Sequence, residues 1–592
     1  MPPPDVTEAL DAGAEFLDRV QSLVEGELWD EALELLFHKQ NQALAAWTSM
    51  DLIVLCGSRL QNPAFEKESP TSFECLESML QYAAKIGKPK EVLLGLQQAL
   101  ESSAAPAQSV PGLKYFRLIT SQLRQVLLKL PQKRGEPLAW TLECLLRHVR
   151  RLELPGPYGL ETPREAHLLD TCPLLPGVID HMQATLHFAE PFLDEVTKCT
   201  QANNPLLNHN QRLLWLRFLV SLMHDPICRL NCESLDFNQP QASPELTCFF
   251  YQFAWKMYQL CPGGVLCMID LCQVPSVWDH LTAEQPFLSP APSSLGLLCY
   301  WFWAKGLSKS RDPAVYAPDW LLMHTQSFAE ALANQGETFA VFGLDVMDFL
   351  LGSVARGSLR ARLMEQSKFQ SLLLLMARFC TTFSNLHIHN RAVGSFRKCL
   401  DALDAECQIL AIKFLFHCTE SKKEIENSTS VNRGFEIRGF LIDYFRGCLT
   451  KSLNPKQQPV SVGIFERNLD EMLRLFANLS DAEKSDLLEE FSQIMATLNF
   501  LRFLALMQQN SRFFSLNQTT RSWISEKYLS VLIRALDLSQ AHYKLEVKNS
   551  TERMQENPNF TPNLDLLNSC LCRLDLLASI VGVVTRSVES LV

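Results

Sequence analysis

Apolar residues recur along this chain at the three- and four-residue spacing of one helical face, in runs broken every roughly 15 to 25 residues. The spacing predicts helices over 14–37, 73–86, 115–130, 138–152, 182–197, 211–223 and 248–260. It predicts more over 339–354, 371–383, 406–416, 435–449, 464–475, 487–507, 527–538 and 564–588. Turn-rich gaps part them, among them SSAAPAQSVPG from Ser102, PGPYGLETP from Pro155, FNQPQASP from Phe237, PFLSPAPSS from Pro286 and NPKQQP from Asn454. Sustained period-two alternation and Asn-Gly hairpin turns are nearly absent. The fold class expected is therefore all-α. Helical segments of this length, joined by short loops and without a fixed period, read as a solenoid whose repeats have diverged. An irregular all-helical fold is the alternative. The Pro/Gln/Ser-rich gap at 236–244 divides the chain into an N-terminal half, 1–240, and a C-terminal half, 241–592.

One run sharpens the picture. Residues 494–507 read IMATLNFLRFLALM, with eleven of fourteen positions apolar and Arg502 as the sole charge. The run is too short for a bilayer, which needs about 18 or more apolar residues. It reads instead as a helix buried inside a large protein. Asn499, Arg502 and Leu506 share one helical face, so the helix carries a single polar stripe. A buried unpaired guanidinium is too costly. Arg502 must reach an acid, a helix C-terminus or a surface.

Composition narrows the function classes. The chain has 592 residues, 47% of them hydrophobic, enough for a large core and too many for one compact domain. Its net charge is −11, and the first 35 residues hold ten acids against the single base Arg19. Nucleic acid and anionic membrane surfaces are poor expectations, because no long cationic run exists to meet phosphates, and no membrane insertion is expected. The N-terminus has neither a basic stretch nor an apolar core, so no signal peptide is expected. The 19 cysteines are scattered and read as reduced, mostly buried thiols of a cytoplasmic protein.

Catalytic and cofactor motifs are missing. There is no G-x-G-x-x-G, no G-x-x-x-x-G-K-[ST], no H-E-x-x-H and no G-x-S-x-G. His224, Cys228 and Cys232 have metal-ligand spacing, but Pro226 interrupts the helix that would align them and no fourth ligand follows. Ordinary thiols near a histidine are the better reading. His387 and His389 are weaker, and Cys570 and Cys572, two apart on a helix, face different ways. No enzyme activity, cofactor or metal is expected. The profile is that of a protein that binds proteins.

Four segments carry a resemblance. They are GKPKEVLLGLQQALE at 87–101, FAEPFLDEV at 188–196, QIMATLNFLRFL at 493–504 and LDLSQAHYKLEVKNS at 536–550. In order and spacing these resemble the glomulin family, from about residue 80 to the C-terminus. The first 70 residues, the cysteine-rich stretch 228–299 and the loop after Met507 do not obviously match. The resemblance implies a HEAT-like helical-repeat solenoid in two halves. It implies a non-catalytic inhibitor of cullin–RING ubiquitin ligases. The C-terminal half would bind the RING domain of the RING-box subunit, carried by its cullin, and mask the docking surface of the ubiquitin-conjugating enzyme (E2). It further implies links to an FK506-binding immunophilin, to the hepatocyte growth factor receptor and to vasculogenesis. The alternative is a general helical-repeat scaffold or adaptor without ligase inhibition.

Two of the segments supply candidate RING-binding residues. One holds Asn499, Arg502 and Phe503, and the other holds His542, Tyr543, Glu546, Lys548 and Asn549. Ser539 is the expected N-cap of the second helix, with His542 and Glu546 one turn apart on a face and Tyr543 beside them. Arg502 either faces the RING or bridges two helices by pairing with an acid such as Glu546.

Overall fold

A computed structural model describes residues 6–61, 69–102, 112–130, 135–152, 173–198, 205–224, 244–275, 277, 279–281, 288–306, 317–383, 385–420, 434–452, 462–479, 487–510, 517–556 and 564–589. These residues are helical almost throughout, with one isolated parallel bridge between Leu359 and Leu403. The chain divides into two compact units, Met1–Tyr316 with Ser327–Val346, and Ala317–Gln326 with Met347–Val592. The division expected at 240 falls in 225–243, outside the described residues. Helices on both sides of that segment pack together within the first unit.

The first unit opens with α1 (Val6–Glu25), α2 (Trp29–Phe37), α3 (Gln42–Trp47) and α4 (Ser49–Leu60). It continues with α5 (Pro70–Ile86), α6 (Pro89–Ser102), α7 (Leu113–Leu128), α8 (Gly135–Arg150), α9 (Leu174–Lys198) and α10 (Pro205–His224). Then come α11 (Pro244–Leu260), α12 (Val265–Gln273) and α13 (Pro292–Cys299), the last running into a π-helical turn at Tyr300–Ala304. The packing is that of a solenoid. The helices α4, α6, α8 and α10 touch in succession, and so do α5, α7, α9 and α11. Two rows result, each helix meeting its neighbour of the same row two elements on. Contacts stay local in sequence, as repeat stacking requires.

The amphipathic pattern accounts for the interior. In α7, Tyr115, Phe116, Ile119, Leu123, Val126 and Leu127 are buried, returning every three or four residues to the face that meets α5, α6 and α9. Burying each such side chain contributes about 1.5–3 kcal/mol. Two close approaches need glycine. A Cβ on Gly57 would meet Ala99 Cβ at 2.8 Å, and one on Gly95 would meet the Met50 carbonyl oxygen at 2.9 Å, so α4 and α6 touch almost backbone to backbone. The buried Arg217 of α10 is held by Asp279 Oδ1 at 2.7 Å and the Val274 carbonyl at 2.6 Å.

The helices α14 (Pro318–Ala333) and α15 (Glu337–Gly352) are each divided between the units. The second unit continues with α16 (Ser367–Thr382), α17 (Leu386–Ala402), α18 (Ala405–Glu420), α19 (Gly434–Ser452), α20 (Val462–Arg467) and α21 (Leu469–Phe476). It closes with α22 (Phe491–Asn510), α23 (Gln518–Trp523), a π-helical turn at Ile524–Leu529, α24 (Ser530–Glu556) and α25 (Leu564–Glu589). A row of α16, α19, α22 and α25 is packed in sequence order. Its core is aromatic: Phe476 lies 5.2, 5.5 and 6.1 Å, centroid to centroid, from Phe416, Phe445 and Phe500. Both units are thus all-α helical-repeat solenoids.

Several boundaries differ from the periodicity reading. The helix expected over 14–37 is two, because Glu27 takes a left-handed φ of 58° after Gly26. The run 464–475 is also two, parted at Asn468. Ser539 is not an N-cap: α24 runs unbroken from Ser530, and no Gly or Pro interrupts 530–556. The helices α3, α4, α6, α12, α13, α14, α17 and α23 lie outside the predicted spans. The positions of α13 are almost all buried and so show no amphipathic face.

Candidate partner-binding surface

The candidate residues lie on α22 and α24, both of which pack on α25. In α22, Ile494, Leu498, Phe500, Leu501, Leu504 and Ala505 are buried. The polar groups that go inside with them are satisfied. Thr497 Oγ1 donates to the carbonyls of Gln493 at 2.8 Å and Phe476 at 3.2 Å, and Arg438 Nη1 donates to Gln493 Oε1 at 3.2 Å. What remains outward is the stripe Asn499, Arg502 and Leu506, all exposed, with Phe503 half-buried beside it and its ring 6.4 Å from that of Phe500. An arginine stands in an apolar run because its position is the one that reaches water. Neither Arg502 nor Glu546 forms an ion pair among the described residues, so the bridge between the two helices is not made.

The second segment sits on the far half of α24. Leu532, Ala535 and Leu536 are buried, and from Asp537 to Arg553 no residue is. Half-buried Tyr543, Glu546, Val547 and Ser550 form the inner side, and Gln540 Nε2 ties it to α25 by donating to Asp575 Oδ1 at 2.9 Å. The outer side is the exposed stripe Leu538, His542 and Leu545, at steps of four and three residues, continued one turn on by the half-buried Asn549. His542 and Tyr543 meet edge to face at 5.5 Å. Lys548 pairs loosely with Glu552 at 3.8 Å, both well exposed, an interaction worth at most a few tenths of a kcal/mol.

Periodicity reasoning passed over the leucines. Leu538 and Leu545 are each 55% exposed, and on α25 Leu566 and Leu576 are 59% and 49% exposed. Exposed apolar side chains in groups mark interaction sites. The available signal was the amphipathic excess: α24 and α25 carry more leucine than one buried stripe can use. By length and hydropathy α25 could also cross a membrane, with 22% of its apolar window buried. One stripe of it, Leu574, Leu577, Val581, Val584 and Val588, is buried in the packed unit.

Burial pushes the thiols of Cys56, Cys380 and Cys399 up to about 12, far from nucleophilic use at neutral pH. His387 is exposed and His389 half-buried at the start of α17. Cys228, Cys232 and the side chain of His224 lie outside the described residues. No cluster of three or more metal-ligating side chains occurs among the described ones.

Fold and surface define a helical-repeat protein of the protein-binding class. The chain is similar to mouse (Mus musculus) glomulin at 21% identity and to human (Homo sapiens) glomulin at 22%, in both cases over 96% of this chain and 92% of the relative. These likenesses run the length of the chain and support its assignment to the glomulin family. No family model matches. A solved circular tandem repeat protein, with novel repeat topology and enhanced subunit contact surfaces, aligns with 93% of this chain and 98% of its own at 12% identity. Its TM-score is 0.26, and at that value the likeness bears on neither fold nor function.

Proposed function

We propose that this protein is a non-catalytic inhibitor of cullin–RING ubiquitin ligases, acting in the cytoplasm. It binds the RING domain of the RING-box subunit and occludes the surface on which the E2 docks. The observation that carries this reading is the outward face of α22 and α24. Asn499, Arg502, His542, Leu545 and Lys548 are exposed there, with Asn549 half-buried beside them, on helices that hold two of the segments resembling the glomulin family. Arginine, with tyrosine and tryptophan, is a usual anchor of such a contact.

Occlusion asks for no chemistry. A repeat surface can bury on the order of 1,600 Å² against a small domain. At equal concentrations, an inhibitor that binds about 100-fold more tightly than the E2 holds an advantage of about 2.7 kcal/mol. The immunophilin and growth-factor-receptor links belong to the same proposal and would use other surfaces. The test is a ubiquitin-transfer assay with increasing amounts of the full chain. Inhibition should titrate out at one protein per ligase and be relieved by excess E2. Inhibition at far below one-to-one, or none at any ratio, would contradict the reading.

A further inference from the structure

The first unit carries a surface that the proposed function does not use. Along the row α5, α7 and α9 run two adjoining concavities of about 560 and 390 Å³, which share Arg117 and Ser121. Their walls bring together Lys85, Lys114, Arg117, Arg124 and Lys129. Against these five cations stand Glu77 in the lining, and Asp180 and Glu190 beside it. This is a positive strip on a chain of net charge −11.

The local contacts hold the strip open. Asp180 Oδ1 accepts from Arg117 at 3.2 Å, and Arg124 Nη1 lies 3.1 Å from His187 Nε2, so both guanidiniums are steadied from α9. Glu77 accepts from Gln81 Nε2 at 2.9 Å. Lys85 and Lys129 are exposed and form no ion pair among the described residues. Between the cations stand Gln81, Gln122, Gln125 and Gln183. Each amide offers donors and an acceptor, and an extended peptide presents one N–H and one C=O per residue that need partners. The floor is Ala84, Leu118, Val126 and Phe188, buried and apolar.

We propose that this groove docks an extended, acidic peptide segment of a partner protein. Glutamine amides take its backbone, and Lys85, Lys114, Arg124 and Lys129 take its carboxylates. Charge complementarity selects the occupant: an acidic segment is drawn to the strip, whereas a basic one is repelled there. Single-stranded nucleic acid fits less well, because it binds through exposed aromatic platforms; of the two rings in this lining, Phe188 is buried and His187 is engaged by Arg124 and Glu190.

The test uses the full chain and a fluorescein-tagged, glutamate-rich peptide followed by anisotropy. Saturable binding is expected, and the double variant K85E/K129E should weaken it at least about tenfold. Circular dichroism should show the variant folded, since both lysines are exposed. Carbodiimide coupling of the peptide to the unaltered chain, which joins carboxylates to lysines only in contact, should concentrate on Lys85, Lys114 and Lys129. The proposal is overturned if the variant binds as well as the parent or if the cross-links scatter over other lysines. It is equally overturned if oligothymidylate of matched charge binds as tightly as the peptide. None of these readings depends on a cullin or a RING.

Discussion

Helices α22, of 20 residues, and α24, of 27, differ in what covers them. Helix α22 has α19 on one side and α25 on the other, and only a narrow stripe containing Arg502 reaches water. The far half of α24 packs on α25 and buries nothing completely. In a solenoid, stability comes from each repeat's contact with its neighbours, and an uncovered outer face is normally polar. The outer face of α24 instead alternates polar residues with leucine. A covered helix fixes the fold, and its few exposed side chains are precisely placed. A half-covered helix contributes little to stability and can present a partner with a broad face.

The largest expected effect is on the covered side. Phe500→Ala removes a ring from the Phe416, Phe445 and Phe476 cluster and should lower stability by about 3–5 kcal/mol in urea unfolding. A loss under about 1 kcal/mol would mean that α22 is not the interior element described. Next comes Arg502→Ala, which should weaken ligase binding by about 2 kcal/mol, some thirtyfold, with thermal stability unchanged. If stability falls and binding does not, the arginine is structural.

A covered helix of the first unit reports its burial through pH. His148 of α8 stacks on Phe116 at 4.6 Å. Burial, followed by neighbouring His181 and Arg151, pushes its pKa down to about 3 from 6.5. The folded state then binds fewer protons than the unfolded state between those values, so this stability is present above pH 6.5 and is lost as pH falls toward 3. From pH 6.5 to 5 the loss is about 1.6 kcal/mol, and His148→Leu should remove that part of the slope. Chemical unfolding at the two pH values, parent against variant, measures it.

The uncovered side should give smaller numbers. Leu545→Ser on α24 should leave the unfolding midpoint within about 0.5 kcal/mol and weaken binding by about 1 kcal/mol. Smallest is Lys548→Ala, with a stability change under about 0.5 kcal/mol. Its effect should show as a slower, less salt-sensitive association.

How much of this was legible in the sequence varied with coverage. Helices with one wet face, such as α7 and α8, announce themselves by period, and the all-α class followed from them. Helix α13 does not, because Ser293 through Cys299 are all buried and no polar face marks it. Chain breaks that rest on backbone conformation, such as Glu27 at φ 58°, carry little side-chain signal. At the candidate surface, the sequence singled out Arg502 because charge in an apolar run is rare. It passed over Leu538 and Leu545, because a leucine reads as core until the packing shows it outside.

The central claim is that the outer face of α22 and α24 competes with the E2 for one RING surface. Calorimetric titration of the full chain into a purified cullin–RING-box complex, with and without saturating E2, tests it most directly. The account predicts tight one-to-one binding that weakens when the E2 is present and weakens further with Arg502→Ala. Binding of undiminished affinity in the presence of saturating E2 would contradict it.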